Sequence, residues 1–389
     1  MFLRTNRNAR WVLGIAIGVL VAAVGWYVWP RPHTRIESVR QPNASGQPAS
    51  FEVLKASAAV ESLAWSPDGK TLAVQTKPGE GGEVKRHSIL LWDLVSGRQY
   101  RPIFETSDPI FSVRYSPDGK TLACAAWRRE RKQEYDILLW DSETGKEIGK
   151  LVGAPRTGLG VPFTSDALCI AFSPDGRWIA AGTKLVDAEN NQGAHIGGEI
   201  CVWNVETGHL KWFDRSTHAD PVYAVTFSCD GNLLASAGSD KLIRIWDPET
   251  GELKRTLVGA AWDGIGSLAF SRKGKLLASG GSGREEGGIV RIWDAETGDL
   301  KHAMSTQFRR NSIAQVVFSP TGQTLFAVGM VNGLEPRWQV HKWEPNGGSH
   351  QGTLLAYPGA PRAIAVSPDG KRLAIGTWEG DIILLDLKP

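Results

Sequence analysis

The feature that most constrains this chain is a tetrapeptide that recurs seven times along it. Ser-Pro-Asp-Gly, or a close variant, begins at Ser66, Ser116, Ser173, Ser228, Ser271, Ser319 and Ser367. The steps between successive copies are 50, 57, 55, 43, 48 and 48 residues. A period of this size is typical of repeat architectures, in which each unit buries its apolar surface only by stacking on its neighbours. The chain therefore predicts one repeat domain, not several unrelated ones.

Every unit shows the same internal pattern. An alternation of apolar and small residues leads into the tetrapeptide, whose Pro, Asp and Gly favour a tight turn. A second alternating run follows, and a third run ends in Trp-Asp or a variant of it. Those ends are Trp92-Asp93, Trp140-Asp141, Trp203-Asn204, Trp246-Asp247, Trp293-Asp294, Trp343-Glu344 and Leu385-Asp386. A fourth short run completes the unit. Because a period of two is the signature of a strand, each unit predicts four antiparallel strands.

The turn, the strand pattern and the Trp-Asp ends together resemble the WD-repeat family over residues 51–389. The resemblance implies an all-β fold: a seven-bladed β-propeller of four-stranded antiparallel blades. The chain stops just after the third strand of unit seven, and an isolated alternating run lies at residues 51–55. In WD propellers such a run closes the ring, so we assign 51–55 as the outer strand of blade seven. Closure removes a free sheet edge.

Unit four also resembles the family in a set of four residues. His218 precedes the first strand, Ser236 lies in the second, Asp240 follows in the next turn and Trp246 lies in the third. The resemblance implies a hydrogen-bonded chain that ties the strands of this blade together. The other units lack parts of the set, so we expect their blades to depend more on apolar packing.

The amino-terminal part of the chain differs from the repeats. Residues 11–29 carry no charge, and at about 1.5 Å per residue they span roughly 28 Å, close to the hydrocarbon thickness of a bilayer. A basic tail, residues 1–10, precedes this run, and aromatic residues flank it at both ends, as membrane interfaces favour. We predict a transmembrane α-helix that serves as a signal anchor. Residues 30–50 are rich in Pro, Ser and Gln and predict a flexible linker.

Two other interpretations of residues 11–29 stay open at this point. Ala23-Val24-Gly25 fits a signal-peptidase site, so the segment could be a cleaved signal peptide, and a buried helix is the third possibility. For an anchor, the charges flanking the helix favour weakly a propeller outside the cytoplasm. Gly14, Gly18 and Ala22 lie on one helix face, where small residues permit a weak homodimer in the membrane.

The charge and cysteine content exclude several classes of function. Residues 1–40 carry six Arg and one Glu, so of the net charge of +3 the remaining chain holds −2. A slightly acidic body argues against nucleic-acid binding, which requires a basic face. The four cysteines form no C-x-x-C motif, and the eight histidines show no metal-binding spacing, so we predict no metal and no cofactor.

No catalytic residues are predicted either. The chain contains no G-x-S-x-G, H-E-x-x-H or P-loop motif. In propellers the first strand of each blade lines the central axis. Four positions before each turn serine lie Ser62, Ser112, Cys169, Ala224, Ser267, Gln315 and Ala363, a set without convergent His, Asp or Glu. One position earlier, only Glu61 and Arg362 are charged, and they suggest an ion pair between blades one and seven.

The repeat units differ in length, and the additional residues of the longer units lie between the second and third strands. In this family those loops share a face with the loops that enter each blade, and insertions confined to one face mark a binding face. Aromatic side chains beside arginines are typical of contact hot spots. The candidate partner-binding residues on these loops are Trp127, Arg128, Arg129, Arg131, Trp262, Arg284, Phe308, Arg309 and Arg310.

The sequence therefore predicts a membrane-tethered, non-catalytic scaffold that binds protein or peptide partners on the loop-bearing face. Two alternatives remain. The axial channel could serve an enzyme or a small-ligand binder, and Ser-Pro-Asp-Gly repeats also occur in periplasmic Tol-system propellers, which suggests a sensor or structural role. The Trp-Asp ends favour the WD-repeat family over the Tol-like alternative.

Overall fold

The computed structural model describes residues 37–42, 48–56, 58–78, 86–126, 136–153, 163–187, 195–258, 264–283, 287–305, 308–331 and 337–387. Within these ranges the secondary structure consists of strands, arranged in seven antiparallel sheets. The predicted all-β, seven-bladed propeller with four antiparallel strands per blade is confirmed.

Two strands precede the first blade: β1 (Glu37–Pro42) and β2 (Pro48–Lys55). Blade one contains β3 (Ala59–Trp65), β4 (Thr71–Lys77), β5 (His87–Asp93) and β6 (Arg98–Thr106). Blade two contains β7 (Ile110–Tyr115), β8 (Thr121–Ala126), β9 (Asp136–Asp141) and β10 (Glu147–Val152). Blade three contains β11 (Phe163–Phe172), β12 (Trp178–Asp187), the short β13 (His195–Gly197), β14 (Ile200–Asn204) and β15 (Leu210–Asp214).

Blade four contains β16 (Val222–Phe227), β17 (Leu234–Gly238), β18 (Ile243–Trp246) and β19 (Leu253–Leu257). Blade five contains β20 (Ile265–Phe270), β21 (Leu276–Gly283), β22 (Gly287–Asp294) and β23 (Leu300–Ser305). Blade six contains β24 (Phe308–Phe318), β25 (Leu325–Val331), β26 (Arg337–Glu344) and β27 (Ser349–Pro358). Blade seven contains β28 (Pro361–Val366), β29 (Arg372–Thr377) and β30 (Asp381–Asp386), with β2 and β1 outside them.

The seven sheets form a closed ring. The first strand of each blade contacts the first strand of the next, and the contact of β28 with β3 completes the circle. The ring is joined by β2, which pairs with β30 from Phe51 opposite Leu385 to Lys55 opposite Asp381. Residues 51–55 therefore occupy the closing position that the resemblance implied.

The linker prediction is wrong for part of its range. Residues 37–42 form β1, which pairs with β2 from Glu37 opposite Val53 to Pro42 opposite Pro48, and β2 itself begins at Pro48. The physical reason is that β2 would otherwise present a free row of backbone N–H and C=O groups, which β1 pairs. The Pro, Ser and Gln content that suggested a linker does not prevent this backbone pairing.

The predicted transmembrane segment, residues 11–29, lies outside the described residues, as do the tail 1–10 and the small residues Gly14, Gly18 and Ala22. Over the part of the chain that the structure describes, no helix has the length and apolar character needed to cross a membrane. The anchor and the membrane homodimer stay predictions.

Apolar side chains fill the spaces between neighbouring blades. One buried cluster packs Leu72, Val74 and Trp92 of blade one against Ala374 and Leu384 of blade seven. Comparable clusters fill the other six junctions. Because each blade has two apolar faces and no core of its own, the hydrophobic stabilisation of each blade depends on its neighbours.

The Ser-Pro-Asp-Gly segments form tight turns that close on their own side chains. Ser66 Oγ donates to Asp68 Oδ1 at 2.6 Å, and this carboxylate also accepts the backbone N–H of Lys70 at 3.0 Å. Gly69 has a φ of +70°, a conformation that glycine adopts at little cost. The hydrogen bond from Ser66 lowers the pKa of Asp68, which keeps the acceptor ionised. The turn carboxylates thus have the structural role that the sequence predicted.

Candidate partner-binding face

The strand order gives the propeller two different faces. The first strand of each blade ends at a Ser-Pro-Asp-Gly turn, and the Trp-Asp end of the third strand lies on the same side. We call this side the turn face. The loops that enter each blade, and those between the second and third strands, lie on the opposite side, which we call the loop face.

A β-bulge interrupts the first strand of every blade near the loop face. In blade one, Val60 pairs with Thr76 and Ser62 with Gln75, so Glu61 is left out of the ladder. The same shift recurs in all seven blades. The residues at the bulge, which we call the bulge ring, are Glu61, Phe111, Leu168, Tyr223, Gly266, Ala314 and Arg362. A bulge bends its strand and re-aims a side chain, and such bulges often border functional sites.

The bulge ring exposes aromatic side chains on an otherwise buried strand. Phe111 is 37% exposed and Tyr223 is 43% exposed, although the preceding Ile110 and Val222 are fully buried. Arg362 is also exposed. Exposed aromatic rings and an arginine on one face are the side-chain types that most often anchor protein partners. The sequence did not identify Phe111 or Tyr223, because a one-residue register shift is not visible before strands are paired.

Arg362 contacts a second aromatic residue that the sequence did not single out. Its guanidinium lies over the ring of Trp378, 4.7 Å from the centroid, and the ammonium of Lys77 lies 4.9 Å from the same centroid. Trp378 follows β29 on the loop face and is half-buried. Since Arg362 stacks on Trp378, the predicted ion pair with Glu61 is absent from the contacts of these two described residues. The sequence signal that could have identified Trp378 is its position, because it is a tryptophan that does not belong to a Trp-Asp end.

Polar side chains directly after the bulge ring on the first strands join neighbouring blades. Ser62 Oγ accepts the backbone N–H of Val113 in the next blade at 3.3 Å. Two further side chains accept a backbone N–H of the next blade in the same way. Ser267 Oγ accepts Val316 N–H at 3.0 Å, and Gln315 Oε1 accepts Ile364 N–H at 2.8 Å. These groups therefore hold adjacent first strands together.

Arg114 and Cys169, also on first strands, take part in similar contacts. The Arg114 guanidinium donates to Ser62 Oγ at 3.1 Å and to the Val113 carbonyl at 2.7 Å. Burial raises the pKa of the Cys169 thiol to about 12. A thiol that stays protonated is a poor nucleophile, so this cysteine suits packing.

The predicted hydrogen-bonded set of blade four is present. Trp246 Nε1 donates to Ser236 Oγ at 2.8 Å, and Ser236 Oγ lies 2.8 Å from His218 Nε2. His218 Nδ1 lies 2.9 Å from Asp240 Oδ2, which also accepts a hydrogen bond from Arg244 at 2.5 Å. Arg244 extends the set beyond the four residues that the sequence identified, and its other nitrogen bonds the Thr217 carbonyl.

Burial and hydrogen-bonded contacts shift the pKa values of this set in opposite directions. Burial raises the pKa of Asp240, but the hydrogen bonds and charges of His218 and Arg244 outweigh it and leave that pKa lowered. Burial also lowers the pKa of His218, and the hydrogen bond that its Nδ1–H donates to Asp240 only partly reverses this shift. The set therefore combines a carboxylate with a neutral imidazole.

The structure does not place the side chains of the predicted basic rim. Trp127, Arg128, Arg129, Arg131, Trp262 and Arg284 lie outside the described residues. The backbone of Phe308, Arg309 and Arg310 belongs to β24, at its loop-face end, and their side chains are not described. These nine residues stay predictions.

The turn face offers a different chemistry. A groove of about 980 Å³ lies between blades one and two, lined by Asp68, Asp118 and Glu143 and by apolar atoms of Leu91 and Ile103. Among the described residues, no group of three or more His, Cys, Asp or Glu side chains is arranged to hold a metal ion. The bulge ring thus offers exposed aromatic rings and Arg362, whereas carboxylates line this groove.

Comparison with known proteins bears on the fold and the repeat. Residues 161–204, 212–247 and 251–294 match the family model described as WD domain, G-beta repeat. The chain is 35% identical over 138 residues to WD repeat-containing protein SL1-17 of Schistosoma mansoni, covering 28% of this chain and 42% of that protein. It is 33% identical over 107 residues to meiotic recombination protein rec14 of Schizosaccharomyces pombe, covering 28% of each chain.

These matches support a WD-repeat family. The chain spans less than half the length of these curated relatives. A solved structure described as the crystal structure of the mitotic checkpoint complex superposes with a TM-score of 0.68 at 18% identity, covering 96% of this chain and 100% of that chain. At that identity the superposition shows a shared fold. The repeats seen in the sequence, the paired strands and these comparisons agree on the propeller.

Proposed function

We propose that this propeller is a non-catalytic scaffold that binds a protein or peptide partner on its loop face. The observation that carries the proposal is the bulge ring, which exposes Phe111, Tyr223 and Arg362 on strands whose neighbouring residues are buried. WD-repeat relatives and the mitotic checkpoint complex add general support for protein binding.

A rigid ring suits this role. The first strands are tied to each other by backbone and side-chain hydrogen bonds, such as those of Ser267 and Gln315. A surface that is already ordered loses little conformational entropy on binding, so most of its contact energy remains as affinity. The predicted arginines of the basic rim, Arg128 and Arg129 between the second and third strands of blade two and Arg309 and Arg310 at the start of β24, would extend the same face.

The test compares charge reversals on the two faces. Affinity capture from the source cells, with quantitative mass spectrometry, would use the full chain, the variant Arg362→Glu and the matched turn-face variant Glu143→Lys. We expect Arg362→Glu, alone or with Phe111→Ser, to lose partners that the full chain and Glu143→Lys both retain. Equal retention by Arg362→Glu, with loss in Glu143→Lys, would move the binding site to the turn face.

The basic rim has its own variant. Replacing Arg128, Arg129, Arg309 and Arg310 by Glu should weaken capture without lowering the melting temperature, because surface charges contribute little to stability. Unchanged capture by this variant would contradict the role of the rim, and it would leave the bulge-ring proposal to the test above.

We further propose that residues 11–29 anchor the propeller in a membrane, with the propeller outside the cytoplasm. The support is the uncharged run of 19 residues and the aromatic residues at its ends. Protease added to intact and to permeabilised cells tests the side. Digestion in cells whose inner membrane is intact supports an extracytoplasmic propeller, whereas protection until that membrane is opened contradicts it.

A further inference from the structure

Two histidines on adjacent strands of blade six lie within bonding distance of each other. His341 lies in β26 and His350 in β27, diagonal to each other in the register that pairs His341 with Thr353 and Trp343 with His350. The distance between His341 Nδ1 and His350 Nε2 is 2.9 Å. His341 is buried, with 6% of its surface exposed, whereas His350 is exposed. The pair thus joins a fixed inner imidazole to an outer one that solvent reaches.

A third side chain sets the tautomer of the inner ring. His341 Nε2 lies 2.9 Å from Oε1 of Gln339, two residues earlier on the same face of the strand. An amide oxygen only accepts hydrogen bonds, so Nε2 carries the proton and Nδ1 of the neutral ring holds the lone pair.

Ring packing holds the inner imidazole in this orientation. His341 stacks on Trp343 with centroids 5.5 Å apart and planes 19° apart. The His350 ring also contacts Trp343, with centroids 5.4 Å apart. A ligand whose ring is packed, and whose second nitrogen donates to an acceptor, is the usual arrangement of a metal-binding histidine.

We propose that His341 and His350 form a chelating site for a first-row divalent transition-metal ion, with Gln339 as the positioning residue for His341. Imidazole nitrogens are common ligands for Cu²⁺, Ni²⁺ and Zn²⁺. Two metal–nitrogen bonds of about 2.0–2.1 Å at a right angle place the nitrogens about 2.9 Å apart, the separation seen here. Right angles between ligands are typical of tetragonal Cu²⁺ and Ni²⁺.

Among the described residues the proposed site has two ligands, His341 and His350, and water would complete the coordination of the ion. Seating the ion requires rotation of the exposed His350 ring and a change of its tautomer. The proton that Nε2 otherwise donates to His341 Nδ1 is then carried by Nδ1 of His350, which leaves the Nε2 lone pair for the metal. The bound ion replaces that proton as the link between the two rings. It therefore joins the third and fourth strands of blade six more tightly, and it binds the folded chain in preference to the unfolded one.

The experiment is a Cu²⁺ titration of the full chain in detergent, followed by calorimetry, with His350→Ala as the test and His209→Ala as the matched control. His209 is also an exposed histidine beside a fourth strand, just before β15. We expect His350→Ala to weaken the tightest site by at least roughly 10-fold and His209→Ala to leave it unchanged. The variant Gln339→Leu keeps both imidazoles and should weaken the site by roughly 10–100-fold.

Two further measurements separate this site from a merely structural pair. Electron paramagnetic resonance of bound Cu²⁺ should show two nitrogen ligands in the full chain and fewer in His350→Ala. Cu²⁺ should raise the melting temperature of the full chain and of His209→Ala, but not that of His350→Ala. Identical isotherms and identical melting shifts for the full chain and His350→Ala would overturn the proposal.

Discussion

Blade four and blade one each bury a tryptophan at the equivalent position, but they do so in different ways. Trp246 and Trp92 are both fully enclosed, each at the third-strand end of its blade. In blade four the indole N–H donates to Ser236, which continues to His218 and Asp240. In blade one Val74 stands where Ser236 stands, and within the described residues Trp92 Nε1 has no hydrogen-bond partner.

The difference separates two contributions that usually occur together. Both blades gain the packing of an aromatic ring, whereas only blade four also satisfies its N–H and orders a polar chain. Blade one is built without this polar chain, so a blade does not require it. The hydrogen-bonded set adds to stability and fixes the loop-face end of blade four.

The largest expected effect comes from removing the ring in either blade. Trp246→Ala and Trp92→Ala should each lower the free energy of unfolding by roughly 3–5 kcal/mol, because both changes leave a large cavity in a packed core. Chemical denaturation measures both values. A melting shift of only a degree or two for Trp246→Ala would contradict the packing argument.

A smaller substitution sharpens the comparison by removing only the N–H donor and part of the ring. Trp246→Phe leaves Ser236 without its donor, whereas Trp92→Phe removes an N–H that has no partner. We expect Trp246→Phe to be more destabilising than Trp92→Phe by about 1–3 kcal/mol. The first change removes a hydrogen bond, whereas the second removes a buried N–H that has no acceptor and therefore costs free energy in the folded chain. Equal losses would mean that the Trp246–Ser236 hydrogen bond adds nothing.

The smallest effect concerns pH. The pKa of His218 is lowered in the folded chain, from an ordinary value of about 6.5. As pH falls, the unfolded chain takes up the proton first, so the stability that neutral His218 contributes is complete above about pH 6.5 and decreases below it. His218→Gln should therefore flatten the decrease between pH 7 and pH 5, by at most about 1.4 kcal/mol per pH unit.

The control for the pH experiment is His209→Gln, an exposed histidine in the neighbouring blade. It should show the same pH dependence as the unmodified chain. His87 of blade one also has a lowered pKa, mainly because of burial and secondly because of the charge of Lys77. Since His87 is present in the unmodified chain and in both variants, its contribution is the same in all three. An unchanged slope in His218→Gln would show that His218 titrates alike in the folded and unfolded chains.

The repeats, the closing strand and the blade-four set could be predicted because each rests on local residue types. Ser66 and Asp68 form their turn with one another, and Trp246 lies 10 residues after Ser236, its hydrogen-bond partner. The bulge ring could not be predicted, since it depends on how two strands pair. The contact of Arg362 with Trp378 and that of His341 with His350 likewise depend on register or on turn geometry.

The strand β1 was missed for a related reason. Its pairing is between backbone groups, and residues 37–42 show no alternation of apolar and polar side chains. Conversely, the prediction of an ion pair between Glu61 and Arg362 failed because a nearby aromatic ring offers Arg362 a cation–π contact. Sequence spacing identified which residues share the loop face, but not which neighbour each of them contacts.

The strand that closes the ring has a consequence for biosynthesis. β2 pairs with β30, so Phe51 meets Leu385, a partner translated 334 residues later. At about 5–20 residues per second, the ribosome needs roughly 17–67 s to make the intervening chain. During that interval the nascent chain holds an early strand without its final partner, and edges of this kind recruit wrong partners. A chaperone, or the early pairing of β1 with β2, would shield one side of that strand while synthesis continues.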